Sequence, residues 1–131
     1  MYDNELVLDI FYQILEATQK VNQRFEQIET ITDFTETSFG MEKLDSICML
    51  LIAIGESLKN IDKITGRELL KQYPEIDWKG AKGLRDIISH QYFDIDAKEI
   101  YWVCEKHMPP LLKTIKNIIS DLTANMKEAD I

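Results

Sequence analysis

A chain of 131 residues with 45% hydrophobic content can bury one sizeable core, so a single domain spanning residues 1–131 is expected. Only 5 Gly and 3 Pro occur among abundant Leu, Ile, Lys and Glu, which excludes a turn-rich β architecture and favours long helices. A formal charge of -8 excludes nucleic-acid binding through a broad basic face. Any RNA contact must therefore be local, and a solvated acidic surface is the simpler reading of the charge.

Over residues 4 to about 30, Leu6, Ile10, Ile14, Ala17, Val21, Phe25 and Ile28 recur in steps of four and three. That spacing predicts a long first helix capped by Asp3 or Asn4, with Val7 and Phe11 widening its apolar stripe enough for two neighbours. Residues 30–40 are rich in Thr and Asp and end in Gly, the composition of a loop joining two antiparallel helices. The second helix is expected over residues 41–64, with Leu44, Ile47, Cys48, Leu51, Ile54 or Gly55, Leu58 and Ile61 inward.

Thr65 and Glu68 have the spacing of a capping box, which predicts a short third helix stopped at Tyr73 by Pro74. Asp77 is placed to cap a fourth helix carrying Trp78, Ala81, Leu84 and Ile88, and the stretch from Asp94 to Asp96 supplies the next break and cap. Beyond Ala97, Ile100, Val103 and Cys104 lead to Pro109 and Pro110, which kink or restart a helix. Leu112, Ile115, Ile119 and Leu122 then continue it toward a polar, fraying last turn. The fold class is thus all-α, an antiparallel bundle of about five helices.

No apolar run approaches the roughly 18 residues of a membrane span, and the N-terminal MYDNEL is acidic, so a cytoplasmic protein without membrane contact is expected. Cys48 and Cys104 lack CxxC spacing and read as reduced core cysteines.

The chemistry-bearing stretch is GLRDIISHQYFDID, where Arg85, His90 and Tyr92 fall near a helix end. On an ideal helix Arg85 and Tyr92 nearly align, whereas Arg85 and His90 are about 140° apart. The latter two converge only if the helix loosens near Ser89 or if a symmetry-related copy shares the cleft, and both routes place the site at an interface. A guanidinium holds phosphate through paired donors, and a histidine exchanges a proton near neutral pH. Together they suit attack of an RNA 2′-hydroxyl on the adjacent phosphorus, with His90 as base and Arg85 stabilising the phosphorane. As bare residues, however, a surface arginine and a helix-end histidine five apart also arise by chance.

The stretch IDWKGAKGLRDIISHQYFDIDAKEIYWVCEKHMPPLLKTI resembles the signature region of HepT-like proteins of the HEPN superfamily. The family pattern of arginine, a polar residue, three further positions, histidine, any residue and tyrosine falls on Arg85, Asp86, His90 and Tyr92. Trp78, the IDxxxI after the motif and IGESLK at positions 54–59 extend the likeness over most of the chain. The resemblance implies a helical homodimer with the motifs facing a common cleft. It also implies a metal-independent endoribonuclease, with no cofactor, acting through Arg85 and His90. Such proteins are the toxins of type VII toxin–antitoxin pairs, and the partner, a minimal nucleotidyltransferase antitoxin, silences them by nucleotidylylating the tyrosine, here Tyr92. The position after the arginine is commonly asparagine in the family and is Asp86 here. A carboxylate there repels the scissile phosphate unless Arg85 or His90 neutralises it, or else it orients His90. The alternative is a catalytically silent helical subunit of a nucleotidyltransferase complex that binds a nucleotide or partner.

Other candidates read more simply. Glu56 within IGESLK could reach the cleft, but a glutamate in a helix has the ordinary reading of a solvated residue. His107 is expected at an exposed helix end, and Trp78 and Trp102 in the core. Gly80 and Gly83 lack the spacing of a phosphate loop, and Asp94 and Asp96 suit capping better than metal binding.

Overall fold

The computed structural model describes residues 2–90 and 96–129, and within them every regular element is helical, as the composition requires. Helix α1 runs Asn4–Phe25, the one-turn α2 Thr32–Thr35, α3 Ser38–Thr65, α4 Trp78–His90, α5 Ala97–Trp102 and α6 Met108–Ala129. A 3-10 turn at Leu70–Gln72 and a π turn at Val103–His107 complete the described elements. Helix α3 is the hub: α1, α2 and α4 all pack on it, and α6 closes the bundle against α1.

Helix α1 is capped by Asp3, whose carboxylate accepts from the backbone N–H groups of Glu5 and Leu6 at 3.0 and 3.2 Å. Its buried line is Val7, Ile10, Phe11, Ile14, Thr18 and Val21, while Leu6, expected inside, is exposed. The helix stops at Phe25, five residues before the expected end. The cause is Asp33, whose carboxylate takes the N–H groups of Glu29 and Thr30 at 2.8 and 3.0 Å and so competes with the helical ladder. Those same bonds, Glu29 first, hold the Asp33 carboxyl below its ordinary range. Ile28 is nonetheless buried, because the turn after α1 folds it back on the core.

The expected loop over residues 30–40 instead contains α2 and the first turn of α3. Thr37 caps α3 by accepting from the Gly40 N–H at 2.9 Å. Gly40 is not a turn residue: a Cβ there would lie 1.7 Å from the Asp33 carbonyl oxygen, so glycine permits α2 to sit against the helix. The inward face of α3 is the expected one, with Leu44, Ile47, Cys48, Leu51, Ile54, Gly55, Leu58 and Ile61 all buried.

Thr65 does not build a capping box. It lies buried in the last turn of α3, its hydroxyl donating to the Ile61 carbonyl at 2.8 Å, and the helix ends at Gly66 in the left-handed conformation. The expected third helix is therefore only the 3-10 turn. Its neighbour Tyr73 donates its hydroxyl to Asp121 of α6 at 2.7 Å and accepts the Trp78 indole N–H on its carbonyl at 2.8 Å, tying α6 to the start of α4. Burial, then the Asp121 bond, pushes the Tyr73 phenol up.

Asp96 caps α5 as expected, and Asp94 lies outside the described residues. Pro109 and Pro110 lie in the first turn of α6, where a missing N–H is tolerated, and α5 passes into α6 through the π turn, the Met108 N–H reaching back five residues to the Val103 carbonyl. The wider turn shifts the inward face, so Met108, Leu111, Ile115, Ile118 and Leu122 are buried and Leu112 is only partly so. Helix continues to Ala129, where fraying was expected. Cys48 and Cys104 are both buried and unbonded, and burial pushes the thiols up to about 11 and about 12. No helix among the described residues is long and apolar enough to cross a membrane.

Candidate active site

Helix α4 brings Arg85 and Asp86 to the surface where it crosses α3. Asp77 starts the helix by accepting from the Gly80 N–H at 3.1 Å, and Leu84 and Ile88 anchor its inner face in the core. The crossing is close because α3 carries Gly55 at that point. A Cβ on Gly55 would stand 3.1 Å from the Ala81 carbonyl oxygen and 3.7 Å from the Arg85 nitrogen, against the backbone of α4.

Next to that glycine, Glu56 reaches across the seam and forms an ion pair with Arg85, its carboxylate 3.2 Å from Nε. Lys59, one turn further along α3, lies 3.9 Å from Glu56 and 3.7 Å from Asp86. Arg85, Glu56, Lys59 and Asp86 thus alternate in sign across two helices. The Arg85 and Glu56 side chains are 51% and 47% exposed, so water and salt screen their pairing. A phosphate can exchange for the Glu56 carboxylate without leaving either charge stranded in the core.

This arrangement changes one expectation. Glu56 is not simply a solvated helix residue; it holds the cation of the motif. The signal available beforehand was Gly55 beside it, since glycine inside a long helix marks a close backbone approach. Asp86, a carboxylate that repels phosphate unless a cation neutralises it, has the Lys59 ammonium from α3 beside it.

Helix α4 remains α-helical through His90, so the loosening near Ser89 that would join Arg85 and His90 in one chain does not occur. Positions 85 and 90 stay about 140° apart around the axis. The His90 side chain and the whole of Tyr92 lie outside the described residues.

Trp78 is half-buried against the core as expected, but Trp102 is 54% exposed. His107 is exposed within the π turn rather than at a helix end, and its ring meets Trp102 edge to face at 4.4 Å. Both line a groove with Ile87, Leu84 and Met108 on the side of α4 that faces the α5–α6 run.

Comparison with known proteins bears on this region directly. Residues 14–118 match the family described as Ribonuclease HepT-like, a span that includes Glu56, Arg85, Asp86 and His90. "Putative RNase MJ0127" of Methanocaldococcus jannaschii is 30% identical over 113 residues, covering 85% of this chain and 85% of its own length. "Putative RNase MJ1216" of the same organism is 28% identical over 103 residues, 74% of this chain and 82% of its own. "Probable ribonuclease HepT" of Thermococcus cleftensis is 29% identical over 92 residues, 66% of this chain and 80% of its own. No solved structure matches.

Proposed function

We propose, from the premise that this chain belongs to the HepT-like ribonuclease family, that it is an endoribonuclease whose phosphate-holding group is Arg85. The observation that carries this reading is the half-exposed Arg85 guanidinium, held at the α3–α4 seam by an exchangeable carboxylate. The imidazole of His90 takes the proton of a 2′-hydroxyl, and the freed oxygen attacks the adjacent phosphorus. Arg85 stabilises the phosphorane charge, and the 5′-oxygen leaves and takes up a proton, giving a 2′,3′-cyclic phosphate. Asp86, screened by Lys59, supports His90.

The separation of positions 85 and 90 on a straight helix favours a cleft shared by two copies, with the α4 helices near a two-fold axis. Exposed Ile87, on the side of α4 away from Arg85 and one turn before position 90, suits that contact. In this reading the chain is a single HEPN domain of the cytoplasm and the toxin of a toxin–antitoxin pair, its nucleotidyltransferase partner silencing it through Tyr92. A nucleotide on Tyr92 adds phosphate charge that competes with RNA for Arg85, because seven residues return a helix nearly to its starting direction.

The test is cleavage of a short RNA in EDTA by the wild type and by Arg85→Ala and His90→Ala. Each substitution is expected to lower the rate roughly 10²- to 10⁴-fold, with cyclic-phosphate products from the wild type and little change in melting temperature. Full activity of His90→Ala removes the base from the mechanism, and a requirement for metal replaces it. Co-expression of the cognate nucleotidyltransferase with Tyr92→Phe tests control: the variant should stay toxic, and silencing equal to wild type would place the modification elsewhere.

A further inference from the structure

Beyond Lys59, the α3–α4 seam opens into a groove whose lining reverses the charge of the molecule. Lys59, Lys63 and Arg67 of α3 and the turn after it face Lys79 and Lys82 of α4, with only Asp62 and Asp86 as carboxylates in the lining. A third of the chain's 15 cations therefore stand in one groove of a protein whose formal charge is -8. The two carboxylates do not account for them. Lys82 pairs with the buried Asp62, and Lys59 lies beside Asp86. Lys63, Arg67 and Lys79 are exposed and make no ion pair among the described residues.

Two features give the cluster the form of a track. Positions 59 and 63 lie about 6 Å apart along α3, and Arg67 carries the lining on into the turn beyond the helix, so the cations form a row suited to more than one phosphate of a strand. Across from them Gly83 lines the groove, and a Cβ there would meet nothing within 4 Å, so α4 leaves room for a ligand. Arg67 adds a separate sign. It follows Gly66 with its own φ at 65°, a left-handed conformation that costs a side-chain-bearing residue more than glycine. The strained site is occupied by a guanidinium where the backbone alone favours glycine.

We propose that this groove binds the phosphates of the RNA strand that flank the one held at Arg85, so that the substrate lies along the α3–α4 seam. The inference rests on the ribonuclease reading for the identity of the strand and extends it from one cation to a path. It also resolves the charge problem: a strongly acidic protein engages RNA through one short basic track, while the rest of its surface repels non-productive contacts.

The experiment measures binding of a fluorescein-labelled 2′-O-methyl oligouridylate, which lacks the attacking hydroxyl and so reports binding without cleavage. Fluorescence anisotropy is followed against salt concentration. For K63E/K79E the affinity at moderate salt should fall about tenfold or more, and the slope of log K on log salt should shrink by about 1.4, near 0.7 for each lost phosphate contact. Arg67→Gly should bind several-fold more weakly while its melting temperature does not fall, a combination that a purely structural role for Arg67 does not give. Lys20→Glu, the same charge reversal on α1 outside the groove, should bind as the wild type does. If K63E/K79E binds within twofold of the wild type with an unchanged salt slope, the track is wrong even where cleavage is intact. If the oligonucleotide binds through these cations but unmodified RNA is never cut, the ribonuclease reading fails and the groove stands. Absence of any binding by the wild type overturns the groove itself.

Discussion

Two ends of α3 use contrary chemistry. At the first, Phe34 is fully buried between Phe25 and Tyr101, with ring centroids 6.2 and 6.4 Å away, and Tyr101 closes the corner by donating to the Glu29 carbonyl at 2.9 Å. At the second, Glu56 and Lys59 meet Arg85 and Asp86 through half-exposed ion pairs. Apolar contact with a fully buried ring has no substitute in water, so the aromatic corner holds one arrangement. Screened ion pairs have many substitutes, phosphate among them, so the charged seam can change partner at little cost. Stability and substrate binding are thus placed on different parts of one helix.

The largest test of that division is Phe34→Ala. Removing a fully buried phenyl ring should destabilise the protein by about 3–5 kcal/mol in chemical denaturation. The fraction that remains folded should cleave RNA at the wild-type rate, since nothing in the corner touches the seam. A loss below about 1 kcal/mol would show that the corner collapses readily around the cavity. Loss of cleavage in fully folded protein would join the two regions that are separated here.

Gly55→Val probes the boundary between them. The Cβ meets the Ala81 carbonyl oxygen at 3.1 Å and the methyl groups extend further toward α4, so the helix must shift outward. The expected cost is about 1–3 kcal/mol, with reduced cleavage because Arg85 moves relative to Glu56. Unchanged activity would mean that the exact approach of α4 is immaterial to the seam.

The same contrast governs what could be read from the chain. The face of α3 from Leu44 to Ile61 was legible because burial repeats with the helical period, and Asp77 announced the start of α4 through local capping chemistry. Where partners are distant, local pattern failed. The turn after α1 is held by Tyr101, whose contact with Glu29 spans 72 residues. Gly40 looked like a turn because its reason, the Asp33 carbonyl against its Cα, is tertiary. Leu112 was assigned inward because a period of 3.6 cannot foresee a π turn. At the site, Arg85 and Asp86 stood out by type and by family pattern. Their partners Glu56 and Lys59 lie on another helix, and only Gly55 hinted that the helices touch there.

The smallest effect, and the sharpest for mechanism, is expected from Glu56→Gln. The amide has the shape of the carboxylate that stands 3.2 Å from Arg85 Nε, so the side chain keeps its place while the competing charge is removed. Stability should change by no more than about 1 kcal/mol, as for exposed pairs generally. Arg85 and Lys59 then attract phosphate with less opposition, so KM for RNA should fall a few-fold while kcat stays near wild type. That split separates a residue that positions Arg85 from one that takes part in the chemistry. A kcat lowered by roughly a hundredfold would make Glu56 a participant in proton transfer or charge stabilisation. A stability loss well above about 1 kcal/mol would instead show that the seam is built like the aromatic corner, with Glu56 a structural pin rather than an exchangeable occupant of the phosphate position.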